Sequence, residues 1–114
     1  MVNVSKFATD GQLDHLFTAL AHPKRRSMVH ALSLRPATVA QLAGDNKLSL
    51  PAMHKHVQLL ERAALIQRKK VGRVNFVALN RSSLQVIKDW ANQYHTEWGN
   101  NEESLENYIA RMRS

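Results

Sequence analysis

Residues 49–62, SLPAMHKHVQLLER, constrain this chain more than any other stretch. Met53, Val57 and Leu60, with Ala52 and Leu59 beside them, recur at three- and four-residue spacing and form one apolar stripe of a helix. Ser49, His54, Lys55 and Gln58 fall off that stripe, toward the helix start. Ser49 can cap the helix through its hydroxyl, and Pro51 fits the first turn, where no amide is needed for an internal bond. A helix that buries one side and holds out Ser, His, Lys and Gln suits a DNA major groove, where such side chains meet base edges and phosphates. The same pattern also describes an amphipathic helix with an ordinary polar surface, so its neighbours decide.

Upstream, Thr9-Asp-Gly-Gln12 has the spacing of a capping box. It opens a helix with Leu13, Leu16, Phe17 and Leu20 on one face. His22-Pro23 ends this helix and starts the next, over about 23–34, with Met28, Val29, Ala31 and Leu32 inward. Thr38-Val-Ala-Gln41 is a second capping box, before a short helix that buries Val39, Leu42 and Ala43. Gly44-Asp45-Asn46-Lys47 has the composition of a turn. Two short helices joined by a tight turn, the second bearing the polar face, have the form of a helix-turn-helix. Beyond Leu65 the period changes to two. Leu65–Lys70 and Val74–Leu79 read as a hairpin turned at Gly72. Its tip is dense in charge, with Arg68, Lys69, Lys70 and Arg73. A basic hairpin directly after a helix pair is the wing of a winged helix, able to follow the DNA backbone or enter the minor groove.

Charge is concentrated where these elements lie. Of a net +7 over 114 residues, residues 22–81 carry twelve Lys or Arg against only Asp45 and Glu61. A basic centre between near-neutral ends points to a polyanion partner. Phe76 is the only Phe, Tyr or Trp in that centre, whereas RNA modules interleave exposed aromatics with their basic residues. There is no cysteine, which excludes disulfides and thiolate metal sites. No apolar run approaches the ~18 residues that would span a membrane, and the N-terminus lacks a signal-peptide core, so a cytoplasmic protein is expected. No nucleophile elbow, phosphate-cradling Gly-rich loop or HExxH is present, and an enzyme is not expected.

Ser82-Ser-Leu-Gln85 reads as a third capping box. The helix behind it carries Leu84, Ile87, Trp90, Ala91, Tyr94 and Trp98, and past Gly99 the stripe resumes at Leu105, Tyr108, Ile109 and Met112. A single chain of this size has little core left for so long an aromatic face. A symmetric dimer, with this helix packed on the first, would bury it, through Leu13, Leu16, Phe17, Ile87, Trp90, Tyr94 and Trp98. The alternative is that the helix folds back on its own core.

The stretches LFTALAHPKRRSMVHAL, ATVAQLAG and LSLPAMHKHVQLLERAALIQRKKVGRVNFVALN together resemble the ArsR/SmtB family of winged-helix repressors. The resemblance runs from about Leu13 to Asn80. It implies a homodimer on a palindromic operator, with base-reading positions at Leu50, Pro51, His54 and Lys55. Family members often carry Gln where Leu50 stands and Ser where His54 stands, so the operator sequence does not transfer. Leu50 offers only apolar contact; His54 can donate to a guanine edge or touch phosphate. His56 also matches the family, and a hydrogen bond within the motif accounts for it equally well. The family's Cys-x-Cys metal site is replaced here by Thr38-Val39-Ala40. Asp89, His95 and Glu97 do not keep the spacing of its C-terminal metal site.

The expectation is therefore a mainly α fold with a small β-hairpin, a winged helix-turn-helix. It divides into an arm (1–8), a DNA-binding domain (9–81) and a C-terminal dimerisation helix (82–114). Its partners are double-stranded DNA and a second copy. No membrane, cofactor or motif-type metal site is expected, and the inducer is unknown. DNA contacts are assigned to Thr38, Gln41, Ser49, Leu50, Pro51, His54, Lys55, Gln58, Arg26, Lys69, Lys70 and Arg73, with Arg25 a further phosphate ligand or else a structural ion-pair partner. Two alternatives stand beside this reading. One is a metal-responsive repressor with a non-motif site among His15, His22, His30 and His95. The other is a sequence-independent architectural protein.

Overall fold

Helix starts in this chain are marked by side chains that turn back on otherwise unpaired amides. The computed structural model describes residues 10–94 and 104–114. The order is α1 (Asp10–Leu20), α2 (Pro23–Leu34), β1 (Ala37–Thr38), α3 (Val39–Asp45), α4 (Leu50–Arg62), β2 (Ile66–Val71), β3 (Val74–Leu79), α5 (Arg81–Asn92) and α6 (Leu105–Arg113). The N-terminal arm and the Thr9 cap lie outside the described residues. His22 Nδ1 accepts the Lys24 amide at 3.1 Å to start α2. The Thr38–Gln41 box forms in both directions, at 3.0 and 2.9 Å, to start α3. Ser49 Oγ accepts the Ala52 amide at 3.3 Å to start α4.

The third expected box does not form. Helix α5 begins one residue after Asn80, whose Oδ1 accepts from the Ser82 amide at 3.3 Å and from Ser82 Oγ at 2.7 Å. Gln85 instead donates to Asp89 at 2.8 Å. The reason lies across the chain, at the Ala64 carbonyl. Asn80 Nδ2 donates to it at 2.9 Å and the buried Ser83 hydroxyl at 2.6 Å. With Asn80 as the cap, Ser83 points inward and gives the Ala64 carbonyl its second donor.

Both helices of the helix-turn-helix end in the same way. At the end of α3 the Lys47 amide donates to Gly44 and the Leu48 amide to Ala43, at 3.2 and 2.9 Å. At the end of α4 the Ala64 amide donates to Glu61 and the Leu65 amide to Leu60, at 2.8 and 2.9 Å. These paired bonds are Schellman motifs, with Lys47 (φ 56°) and Ala64 (φ 57°) in the left-handed position. Gly44, expected in the turn, instead lies inside α3, and the backbone reverses on Lys47.

The wing forms as expected, with β2 shifted by one residue to Ile66–Val71. It pairs antiparallel with β3 in a register that sets Val71 opposite Val74. Gly72 takes φ +61° at the first position of the two-residue turn, where a positive φ is required. A third strand was not foreseen: β1 pairs with β3, giving the order β1-β3-β2. Two residues are too short to show a period. Leu16, Met28, Leu42, Met53, Val57, Leu60, Leu65 and Val77 are fully buried and join α1 to α4 and the sheet in one core.

The C-terminal reading needs correction. Instead of continuing along the stripe to Trp98, α5 ends at Asn92, with Gln93 as its C-cap. Trp98 and Gly99 lie outside the described residues. The stripe at Leu105, Tyr108, Ile109 and Met112 does lie on a helix, α6, capped by Ser104 and exposed along its length.

Alanine in the left-handed region costs about 1–2 kcal/mol, which glycine does not incur. Ala64→Gly should therefore stabilise the fold by about 1 kcal/mol in urea unfolding. A loss of stability would show that the Ala64 methyl contributes more by packing than it costs in backbone strain.

Candidate nucleic-acid interface

Helix α4 separates its residues by burial as its sequence implies. Met53, Val57 and Leu60 have no exposure, while Leu50, Pro51, Lys55 and Gln58 are exposed and His54 is half-buried on the other side. Arg62 was missed, yet it lies one turn beyond Gln58 on that outward side and is exposed. Helical spacing alone would have found it. Thr38 and Gln41 lie at the start of α3 and Ser49 at the start of α4, and their acceptor oxygens are used in caps. What they still offer a ligand is the Thr38 and Ser49 hydroxyl hydrogens and the Gln41 amide NH₂.

The wing carries its charges on both faces of the sheet. Lys70 shares a face with Arg68, and Lys69 shares the other with Phe76. Lys69, Lys70 and Arg73 are exposed. Arg68 is held by Glu61 of α4 at 3.2 Å, which ties the wing to the end of the outward helix. Lys47, in the turn before α4, is a further exposed cation that its expected role as a turn residue had hidden.

The largest correction concerns HPKRR at 22–26. Arg25 is 8% exposed, and its guanidinium is engaged on three sides. Its Nε donates to the Ala19 carbonyl at 2.7 Å, Nη2 donates to Thr18 at 3.0 Å, and Nη1 lies 3.1 Å from His56 Nδ1. Arg25 is therefore unable to serve a phosphate. It is structural, but among the described residues its acceptors are carbonyls and a ring nitrogen rather than a carboxylate. Arg26 remains exposed while Nη1 donates to the Leu20 carbonyl at 2.7 Å. The final carbonyls of α1, which have no partner inside the helix, are thus satisfied by cations where the helix dipole favours them. Lys24 Nζ donates to the Asn46 carbonyl at 3.0 Å and closes the end of α3 in the same manner.

His56 anchors α4 to this cluster. An arginine only donates, so His56 Nδ1 accepts and the ring is neutral. Its ring packs against His22 at a centroid distance of 4.8 Å. His56 is therefore structural, as one of its two sequence readings had it. Among the described residues no three His, Asp or Glu side chains converge as metal ligands would. His95 and Glu97 lie outside the described residues.

The residues assigned to a dimer face divide. Leu16 has no exposure and belongs to the chain's own core, so it is not a dimer contact. Helix α5 does pack on α1, but within one chain. Trp90 meets Phe17 edge-on at 5.1 Å and Tyr94 at 5.3 Å, while Leu13 and Ile87 rest against the core. Phe17 stays 41% exposed and Tyr94 65%.

Burial, and after it electrostatic repulsion from His22, Arg25 and Lys24, hold the His56 pKa below its ordinary 6.5. The unfolded chain then binds this proton more readily than the folded one. The stability this group contributes is complete above pH 6.5 and is lost as pH falls from there toward the depressed folded value. Between pH ~7.5 and ~5.5 the melting temperature should fall further for the natural chain than for His56→Gln, which keeps an acceptor for Arg25. Equal falls would remove His56 from the account.

With this geometry the chain resembles known proteins closely. A family model described as a helix-turn-helix domain matches residues 20–68. The crystal structure of an ArsR family transcriptional regulator superposes with a TM-score of 0.72 at 34% identity, over 76% of this chain and 90% of that one. The transcriptional repressor SdpR of Bacillus subtilis is 26% identical over 68% of this chain and 87% of its own length. A homodimeric winged helix-turn-helix DNA-binding domain from Mycobacterium bovis shares the fold, with a TM-score of 0.60 at 18% identity, over 75% of this chain and 87% of that one. On this sequence and this fold, the chain belongs to the ArsR family of transcriptional regulators.

Proposed function

We propose that the chain is a homodimeric repressor that binds a palindromic operator, with the outward face of α4 in the major groove. The observation that carries this is the pairing of that face with the basic wing. Leu50, Pro51, His54, Lys55, Gln58 and Arg62 project from a helix whose other side is core, and Lys69, Lys70 and Arg73 stand beside it without a carboxylate partner among the described residues. Such a helix reads base edges with its first two turns, and the wing cations hold phosphates and fix the register. Arg26 would add one phosphate contact through the part of its guanidinium not held by Leu20. Repression then follows from occupancy of a promoter rather than from catalysis, and the site of action is the cytoplasm, where the DNA is.

The dimer is supported by the apolar surface that one chain leaves open. Phe17 and Tyr94 remain exposed after packing on Trp90, and Leu105, Ile109 and Met112 form an exposed stripe on α6. A two-fold dimer that buries both patches would present two copies of α4 to the DNA, and a two-fold operator demands that they lie about one DNA turn apart. The Mycobacterium bovis relative is described as a homodimer and SdpR as a repressor, in keeping with both parts of the proposal.

Selection of bound sites from random duplexes, followed by titrations at several salt concentrations, tests it. Specific affinity is expected at roughly 10⁻⁸–10⁻¹¹ M on a site with two-fold symmetry. His54→Ala and Lys55→Ala should each weaken the selected site about tenfold or more while changing binding to unrelated DNA far less. Arg73→Ala should weaken all sequences alike and reduce the salt slope by about 1. Loss on selected and unrelated DNA in equal measure from the α4 variants would contradict their role as readers. Sedimentation as a monomer at micromolar concentration would contradict the dimer.

A further inference from the structure

Leu50 does not behave like the other large aliphatic residues of α4. It is 50% exposed, whereas Met53, Val57 and Leu60 have no exposure at all. A lone surface leucine is ordinary; its company here is not. Leu50 stands one turn before His54 and two turns before Gln58, on the edge of the helix that carries the polar side chains, and exposed Pro51 is next to it. The side-chain hydrogen-bonding capacity of this first turn is reduced to the Ser49 hydroxyl hydrogen. Ser49 Oγ accepts the Ala52 amide at 3.3 Å, and Pro51 has no amide hydrogen. The leading end of α4 therefore presents aliphatic surface, and its polar side chains follow a turn later.

The major-groove edges of the four bases display donors and acceptors, with one apolar exception, the C5 methyl of thymine. A leucine set against the cytosine amino group or the adenine edge would strip water from a polar group and give nothing back. Against a methyl it removes apolar surface from water on both sides. We propose that Leu50 is a specificity-determining residue that selects a 5-methylpyrimidine, thymine in unmodified DNA, at one position of each half-site, next to the base steps met by His54 and Lys55. The inference rests on the reading of α4 as the groove-inserted helix, and adds to it which base the tip of that helix prefers.

The test uses the site obtained by selection. Each symmetric pair of thymines is replaced by deoxyuridine, which removes the methyl and leaves base pairing intact, and binding is measured for the natural chain and for Leu50→Ala. One pair of replacements should weaken the natural chain about tenfold, from roughly three- to fourfold per methyl, and leave Leu50→Ala unchanged. Because Leu50 is exposed, the variant should melt with the natural chain. A selected site in which no thymine pair shows this dependence, or in which every replacement affects both proteins equally, overturns the role of Leu50 while leaving α4 as the reading helix. Failure to select any sequence over unrelated DNA overturns the reading of α4 itself, and this inference with it.

Discussion

The buried guanidinium of Arg25 is the interaction on which the arrangement of this molecule depends. It takes the Thr18 and Ala19 carbonyls at the end of α1 while its own backbone lies in α2, and it reaches His56 in the middle of α4. Three helices are fixed to one planar group whose donors point in set directions. Its neighbours complete the junction. His22 caps α2, Lys24 closes α3 on Asn46, and Arg26 takes the last carbonyl of α1. Five consecutive residues thus serve ends of three helices. Arg25→Lys would keep the charge yet lose the fork that meets three acceptors, and one or more buried carbonyls would be left without a donor.

This junction changes the meaning of the central charge. Twelve basic residues between 22 and 81 suggest a polyanion partner by number alone. In the structure Lys24, Arg25 and Arg26 satisfy helix ends, and Arg68 is held by Glu61. Of the other eight, Lys47, Lys55, Arg62, Lys69, Lys70 and Arg73 are exposed in the turn before α4, along its outward side and on the wing, while exposed Arg35 and Arg81 lie elsewhere. Fewer cations are left available to a polyanion than the sequence count implies, and six of them are grouped around α4 and the wing. The same junction bonds α4 to α1, the helix that carries exposed Phe17, so the proposed reading face and the proposed dimer surface are joined through His56 and Arg25.

Much of the fold was legible because its signals are local. The box at Thr38–Gln41, Pro23 after His22, Ser49 before Leu50 and the positive φ of Gly72 are each decided within a few residues. What escaped the sequence depends on distant partners. Ser83 turns inward because the Ala64 carbonyl, nineteen residues away, needs a donor. That need arises because α4 ends with Ala64 in the left-handed region, a place where glycine would be expected. Strand β1 exists only because Val77 and Phe76 of β3 lie beside it. Of the site, the outward residues of α4 were visible from helical period. Arg25 and Leu16 were misjudged because a charge or an aliphatic on a helix face does not reveal which partner it meets.

The central claim is that α4 enters the major groove with its outward side foremost. The chain has no cysteine, so a single one can be placed and labelled with a DNA-cleaving iron chelate. With the label at Gln58, bound to the selected operator, cleavage should fall at two symmetric positions separated by about one helical turn. The same label at exposed Lys88 of α5, the helix that packs on α1, should give no such pair. Strong symmetric cleavage from Lys88, or none from Gln58 in a complex that retains full affinity, would contradict the account.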